Sequence, residues 1–525
     1  LQETILKQLD TPDIMIPDVF NSHGTYRRHQ DAVVCGDIRR SWGDFNDNMN
    51  RVANSLLQIG VCKGDRVAVL MGNSIEMLEV MFGIVKAGAC VVPLSGLLTG
   101  PQLAGLIEDS GAKVAFATSD FIERLEPHIS QLGALAPSHC YVVHGQAKDW
   151  QSFSDFVAHA STSAPYVTYS SFDDFNIIYS SGTTGLPKGI VQSHRARTHW
   201  AVSNALEMRF NERSRALTTT SLYSNGTWLM MLPVLFSGGT CVVMPAFDAG
   251  CFIDLLRQER ITHTFMVPAQ YISVLQQDIA DLRIDTLEVL LCAGSPLRKD
   301  TKRRVIERFG DKLIELYGFS EGFASMLKPG APIEKFHTVG VPVLGFEVRV
   351  IDNDGNALPP GAVGEIAGYG AGMMSRYHQK EQATSELIWL DERGRSFIRS
   401  GDIGFQDTDG YLVLVDRIKD MIISGGFNVF PADIEEIIGQ HPDILDVTVI
   451  GVPDERWGET PLALVIMRGD ATFDPMAMVS WCNTRLAKHQ RISGIEARNE
   501  FPRNALGKVL KRMLREPYWA PVHSA

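Results

Sequence analysis

Between Ile177 and Gly189 the chain reads Ile-Ile-Tyr-Ser-Ser-Gly-Thr-Thr-Gly-Leu-Pro-Lys-Gly, with three glycines, four small hydroxyl side chains and one lysine. Glycines let backbone N–H groups converge on an anion. The hydroxyls of Ser180, Ser181, Thr183 and Thr184 would donate further hydrogen bonds, and Lys188 would add positive charge. The glycines, Gly182 and Gly185 among them, do not have the spacing of a P-loop. By composition alone, a plain surface loop rich in Ser, Thr and Gly stays equally open.

Three further constellations suit nucleotide chemistry. In Tyr317-Gly318-Phe319-Ser320-Glu321 a carboxylate stands beside a hydroxyl at the end of a strand-like run, a ligand set that suits Mg²⁺ on a nucleotide phosphate. Ser400-Gly401-Asp402 precedes a turn-rich strand, and an aspartate there could accept hydrogen bonds from both ribose hydroxyls. Near the end, Pro502-Arg503-Asn504-Ala505-Leu506-Gly507-Lys508 precedes a helix-like run. Taken singly, these read as an exposed strand–turn, a turn and a solvated surface lysine.

Positioning such groups needs a scaffold, and the first 400 or so residues alternate between strand-like and helix-like patterns. Val67–Met71 reads as a strand, Ser74 as a helix N-cap, and Met77, Leu78, Met81, Phe82 and Val85 as a helix face that Gly88 can end. Cys90–Leu94 follows as the next strand, giving the strand–helix–strand unit of a helix-covered parallel sheet. Thr240–Pro245, Thr264–Pro268 and Val289–Ala293 read as buried strands, and residues 251–259 as a helix. From 345 to 415 short alternating runs with turn signals suggest a small antiparallel barrel or sheet. After Asp416 comes a compact α+β segment. The expected fold is α/β: a large N-terminal domain of helix-covered mixed sheets plus a small barrel (1–415), a hinge (416–419) and a small mobile α+β domain (420–525).

The 525 residues exceed what one core usually supports. A formal charge of −12 argues against nucleic-acid binding as the main task. The eight cysteines form no CxxC pair, and buried reduced thiols are the expectation. No apolar stretch reaches membrane-spanning length and Leu1-Gln-Glu-Thr shows no signal-peptide pattern, so a cytoplasmic location is expected. Whether the chain pairs into a homodimer is left open.

The 177–189 segment resembles the signature loop of the adenylate-forming superfamily, which includes acyl-CoA synthetases, peptide-synthetase adenylation domains and firefly luciferases. Further motifs follow in the family's order and spacing, and the resemblance spans nearly the whole chain. It implies ATP, Mg²⁺ and coenzyme A as cosubstrates. The 180–189 loop would hold the β- and γ-phosphates, Glu321 the metal, Ser320 a phosphate, and Tyr317 the adenine by stacking, with Gly318 and Phe319 beside it. Gly294, Ser295 and Pro296 resemble the adenine-side loop more loosely. Asp402 would hold the ribose with Arg417, and Lys508 would neutralise charge shared by carboxylate and α-phosphate. Lys419 would be the hinge residue, and Gly425-Gly426 would line the pantetheine channel.

One departure bears on the acid. Where many of these ligases read Pro-Leu-Phe/Tyr-His, this chain has Ser221-Leu222-Tyr223-Ser224, so Ser224 replaces the histidine. Trp228 stands where some long-chain ligases carry a gating tryptophan. Tyr223, Ser224, Trp228 and Phe323 are the expected acyl-pocket residues. No Lys or Arg is evident after the Tyr-Gly motif, which favours a hydrophobic monocarboxylate. The implied reaction makes an acyl-AMP and then a CoA thioester. Loading of a carrier-protein phosphopantetheine is the alternative within the class, and an inactive nucleotide-binding protein the alternative outside it.

Overall fold

The computed structural model describes residues 13–130, 132–180, 187–278, 284–417, 419–424, 427–469, 471–504 and 507–519. Two compact units divide the chain. One comprises 1–331, 342–347 and 369–388; the other comprises 332–341, 348–368 and 389–525. The small sheet expected at 345–415 thus falls largely with the C-terminal segment.

The first unit is built on two mixed sheets. In one, the parallel strands Cys90–Pro93, Arg66–Leu70, Val114–Thr118, Cys140–Val143 and Gln151–Ser152 lie in that order. The antiparallel pair Lys188–Ser193 and Asp174–Ser180 extends the Cys90 side. The strand–helix–strand unit forms as its pattern dictates. Ser74 accepts from the Met77 amide at 3.1 Å, starting helix Ile75–Lys86, and Gly88 past its end has φ +76°. Val92, Leu70, Ala115, Val142 and Ile177 share one apolar core over this sheet.

In the other sheet, Phe323–Leu327, Leu313–Phe319, Val289–Cys292, His263–Met266, Arg215–Thr218, Thr240–Val243 and Asp31–Cys35 follow in that order. Its middle is parallel, and Leu313–Phe319 and Phe323–Leu327 close it as an antiparallel hairpin. Helix Ala249–Gln258 starts two residues before the expected segment because Asp248 caps it, accepting from the Cys251 amide at 2.8 Å.

In the second unit, Gly364–Gly370, Ser396–Gln406 and Leu412–Arg417 lie side by side in a five-stranded sheet. The C-terminal segment forms another, with Ile444–Asp454 and Gly458–Met467 at its core, packed by helices Pro431–Ile438 and Pro475–Asn483. Five cysteines are buried, but Cys62 and Cys251 are exposed, which departs from the expectation of buried thiols. Cys62 lies in the connection between helix Trp42–Gln58 and strand Arg66–Leu70, and Cys251 in the first turn of helix Ala249–Gln258. Among the described residues no helix is long and apolar enough to cross a membrane.

Candidate functional site

Ser181, Gly182, Thr183, Thr184 and Gly185 of the glycine–hydroxyl loop lie outside the described residues, as do Gly425 and Gly426. Their flanks are described. Ser180 and Lys188 pair directly across the strands Asp174–Ser180 and Lys188–Ser193, and Ser424 pairs with Phe427. Lys188 places its ammonium 4.7 Å from the centroid of the Tyr377 ring.

Tyr377 also reaches the second motif. Its hydroxyl donates to Glu321 Oε1 at 2.5 Å, and burial together with that carboxylate pushes its phenol up. Ser320 and Glu321 form the turn of the hairpin, anchored by Met374 N donating to Glu321 O (2.7 Å) and Gln192 Nε2 donating to Ser320 O (3.2 Å). Tyr317 is half-buried and Gly318 exposed on the preceding strand. A Cβ on Gly318 would lie 2.4 Å from Phe323 O, so closeness of the hairpin strands dictates the glycine.

The donor set suits Mg²⁺ bound chiefly through phosphate. Glu321 engages one carboxylate oxygen with Tyr377, and among the described residues no cluster of three His, Cys, Asp or Glu side chains forms an all-protein cage. Mg²⁺ characteristically takes one or two carboxylates plus substrate phosphates.

The Gly294–Pro296 stretch leaves strand Val289–Cys292 through Gly294 at φ +95°. Gly294 and Pro296 are exposed and Ser295 half-buried, while Leu297 returns to the core. Below it, Glu315 on the strand bearing Tyr317 is raised by burial, pairs with Lys302 at 2.6 Å, and accepts from the Leu297 backbone. That buried pair ties the loop to the motif strand.

Around the expected acyl pocket, Asn73 holds the 220–222 segment by accepting from Leu222 N and donating to Thr220 O. Ser224 is buried immediately before helix Asn225–Phe236, and Tyr223 is half-buried. Trp228 is buried, donates through its indole N–H to Leu222 O at 3.0 Å, and carries the Arg197 guanidinium over its ring at 4.3 Å. Phe323 is fully buried, stacked on Phe319 and edge-on to Phe346, so it packs within an aromatic core.

In the second unit, Asp402 and Arg417 stand opposite one another on paired strands and are joined by a 2.9 Å ion pair. Asp402 is buried; the Ser400 hydroxyl accepts from its amide, and Gly401 takes φ +71° to make that turn. Lys508 lies between the bridged residues Arg503 and Val509, next to Gly507 at φ +74°, and Asn504 Oδ1 accepts from the Lys508 amide at 3.0 Å. Burial first, and then the Arg417 charge, pulls the Lys508 ammonium down to about 8, with Asp402 and Asp420 opposing. The structure therefore gathers Asp402, Arg417 and Lys508 into one electrostatic neighbourhood. Lys419 is exposed, and its carbonyl accepts from Arg515 at 3.3 Å.

Sequence reasoning missed Tyr377, the Lys302–Glu315 pair and Arg197. The first two carry no motif signal of their own. The run His194-Arg-Ala-Arg197 was visible, but nothing in its spacing said that one arginine would turn inward.

Comparison with known proteins identifies the family. The family described as AMP-binding enzyme matches residues 21–378, and its C-terminal domain matches 433–508. A feruloyl-CoA synthase of Amycolatopsis sp is 33% identical over 496 residues, covering 93% of this chain and 96% of that protein. A long-chain-fatty-acid–CoA ligase of Mycobacterium tuberculosis is 32% identical over 500 residues, covering 93% and 94%. The crystal structure of ATP-bound MatB from Rhodopseudomonas palustris superposes with a TM-score of 0.87 at 27% identity, covering 97% and 99%. Acyl-CoA synthetases of this family use ATP, Mg²⁺ and coenzyme A. The chain belongs to the AMP-binding enzyme family, in its acyl- and aryl-CoA ligase branch, and is an AMP-forming acid–CoA ligase.

Proposed function

We propose that the chain activates a carboxylic acid with an apolar body by forming its acyl-AMP, and then transfers the acyl group to coenzyme A. The observation that carries this reading is the neighbourhood of Asp402, Arg417 and Lys508, residues up to 106 positions apart that the motifs assign to one nucleotide. The substrate carboxylate attacks the α-phosphorus of ATP, forming the acyl–phosphate bond as the bond to pyrophosphate breaks. Loop 180–189 holds the leaving phosphates, Ser320 and Glu321 face the metal-bound triphosphate, and Tyr317 with Gly294–Pro296 flanks the adenine. When bound, Mg²⁺ would be held through Glu321 and would neutralise phosphate charge. Lys508 stabilises charge that develops as the new bond forms, and positioning and electrostatics account for the step.

The thiol of coenzyme A then attacks the acyl carbonyl and AMP leaves. Lys508 serves the first step and Gly425–Gly426 the second, and both lie beyond Lys419. A turn of the segment 420–525 about the 416–419 hinge, exchanging one for the other, fits this division of labour. The monocarboxylate expectation rested on the lack of a cation after the Tyr-Gly motif; Arg197 beside Trp228 reopens that question. A cytoplasmic enzyme, alone or as a homodimer, is compatible with this chemistry.

Acid-dependent exchange of pyrophosphate into ATP, followed by thioester formation on free coenzyme A, is the test. Release of ADP and orthophosphate instead would overturn adenylation. Thioester on a carrier protein but not on coenzyme A would overturn the choice of acceptor.

A further inference from the structure

Arg197 lies on helix His194–Met208 and is only 3% exposed. Its Nε donates to Asn176 Oδ1 at 2.7 Å and one Nη to Asn225 Oδ1 at 3.0 Å, while the guanidinium covers the Trp228 ring. Both acceptors are neutral amides. Among the described residues no carboxylate pairs with this charge, and burial alone pulls the group down to about 9. The five N–H donors of a guanidinium, two of them used here, form a fork matched to a carboxylate.

A buried charge is costly unless paired, and among the described residues it meets two amide dipoles and an aromatic face. Compare the other buried cations. Lys302 has Glu315 at 2.6 Å, and Lys511 has Glu435 at 2.8 Å. Lys86 has only the Asn21 and Asn46 oxygens, but Asp18 and Asp47 lie close enough to oppose its loss of charge. Arg197 stands apart in having no acidic neighbour among the described residues.

Its location matters equally. Asn225 directly follows Ser224, and Trp228 is one turn further along the same helix, so the guanidinium touches two side chains of the segment expected to line the acyl pocket. Asn176 stands opposite Gln192 across the strand pair, and opposed residues share a face of the sheet. Gln192 in turn donates to Ser320 O, beside Glu321. Arg197 and the turn proposed to hold the reacting end of the nucleotide are thus both anchored on this strand pair, where Asn176 Nδ2 and Gln192 Oε1 are buried without a hydrogen-bond partner among the described residues.

We infer that Arg197 recognises a second carboxylate at the far end of the substrate, so that the preferred acid is a dicarboxylate with an apolar body. This rests on the adenylation reading and on Trp228 bordering the acyl group. It replaces the monocarboxylate expectation with an acid that completes the unpaired guanidinium by a bidentate, charge-assisted contact. The chemistry at the reacting carboxylate is unchanged.

The test measures pyrophosphate release by the full-length enzyme for chain-matched pairs: hexanoate and adipate, octanoate and suberate, 4-methylbenzoate and terephthalate. The kcat/KM ratio of diacid to monoacid should exceed one for at least one pair. Arg197→Met should lower that ratio roughly 10- to 100-fold, the range for a hydrogen bond to a charged group. Asn176→Asp, which keeps the arginine but gives it an internal carboxylate, should lower the ratio as well. Thermal melts of both variants establish that they are folded, and the ratio is insensitive to the fraction of active enzyme. If monoacids are preferred in every pair, or if neither substitution changes the ratio, the inference is overturned while adenylation stands. If no acid of the panel and no other carboxylic acid elicits pyrophosphate release from folded wild type, the adenylation reading fails first and takes this inference with it.

Discussion

Among the described residues Glu321 accepts from one side-chain donor, the Tyr377 hydroxyl, whose ring also seats the Lys188 ammonium. A hydrogen bond to a charged group contributes about 1.5–3 kcal/mol. Tyr377→Phe keeps the ring, and so the seat of Lys188, but frees the carboxylate. The expected result is a rise of roughly 10-fold or more in the KM for Mg·ATP, with the melting temperature little changed. Titrating Mg²⁺ at fixed ATP reads it; an unchanged requirement would mean that Tyr377 only packs. A second residue-scale prediction follows from Lys508, whose ammonium is drawn down to about 8 by burial and by Arg417. Below that value it is charged and can stabilise a developing anion; above it the neutral amine predominates. The kcat/KM for pyrophosphate release, which reports free-enzyme groups, should therefore decline as pH rises through about 8 rather than near the ordinary lysine value of about 10.4. Lys508→Arg, with its much higher pKa, should remove that alkaline limb in whatever activity it retains.

At the scale of elements, the hairpin Leu313–Phe319 and Phe323–Leu327 turns through Gly322 at φ +123°. A Cβ there would meet Gly372 O at 2.4 Å and the Met373 Cα at 2.5 Å. Gly322→Ala should cost about 1–3 kcal/mol of strain and displace the adjacent Glu321, so both melting temperature and adenylation rate fall. Gly361→Ala is the comparison: its φ is +85° but nothing lies within 4 Å, so stability should fall without loss of rate. Legibility follows the same line between local and distant causes. Ser74, Gly88 and the apolar period of 77–85 could be read because a helix and its caps depend on neighbours a few residues away. The Asp402–Arg417 pairing was legible only through the family resemblance, since Ser400-Gly401-Asp402 by itself reads as a turn. Tyr377 was not, because its partner lies 56 positions away in sequence and nothing about an Arg-Tyr-His triplet indicates which strand it will join. Arg197 was hidden for a similar reason: its helix has almost no sequence amphipathicity to distinguish a buried face, and Asn176 sits 21 positions upstream on a strand.

For the whole molecule, the proposed division of chemistry between Lys508 and the Gly425–Gly426 segment makes the strongest demand. Lys508 feels the charges of both Asp402 and Arg417, the neighbourhood that the proposed adenylation step calls for. Thioester formation would require that neighbourhood to open and the glycine pair to replace it. The two half-reactions can then be separated by substitution. Lys508→Ala should reduce pyrophosphate release from ATP and acid by several hundredfold or more, about the loss of one preorganised electrostatic contact. Supplied with preformed acyl-AMP and coenzyme A, the same variant should make thioester at close to the wild-type rate. Lys419→Pro fixes a backbone dihedral at the hinge and should slow the overall reaction while leaving at least one isolated half-reaction intact. If Lys508→Ala depressed both half-reactions equally, the lysine would act in a single fixed site, and the segment after Lys419 would have no reason to move.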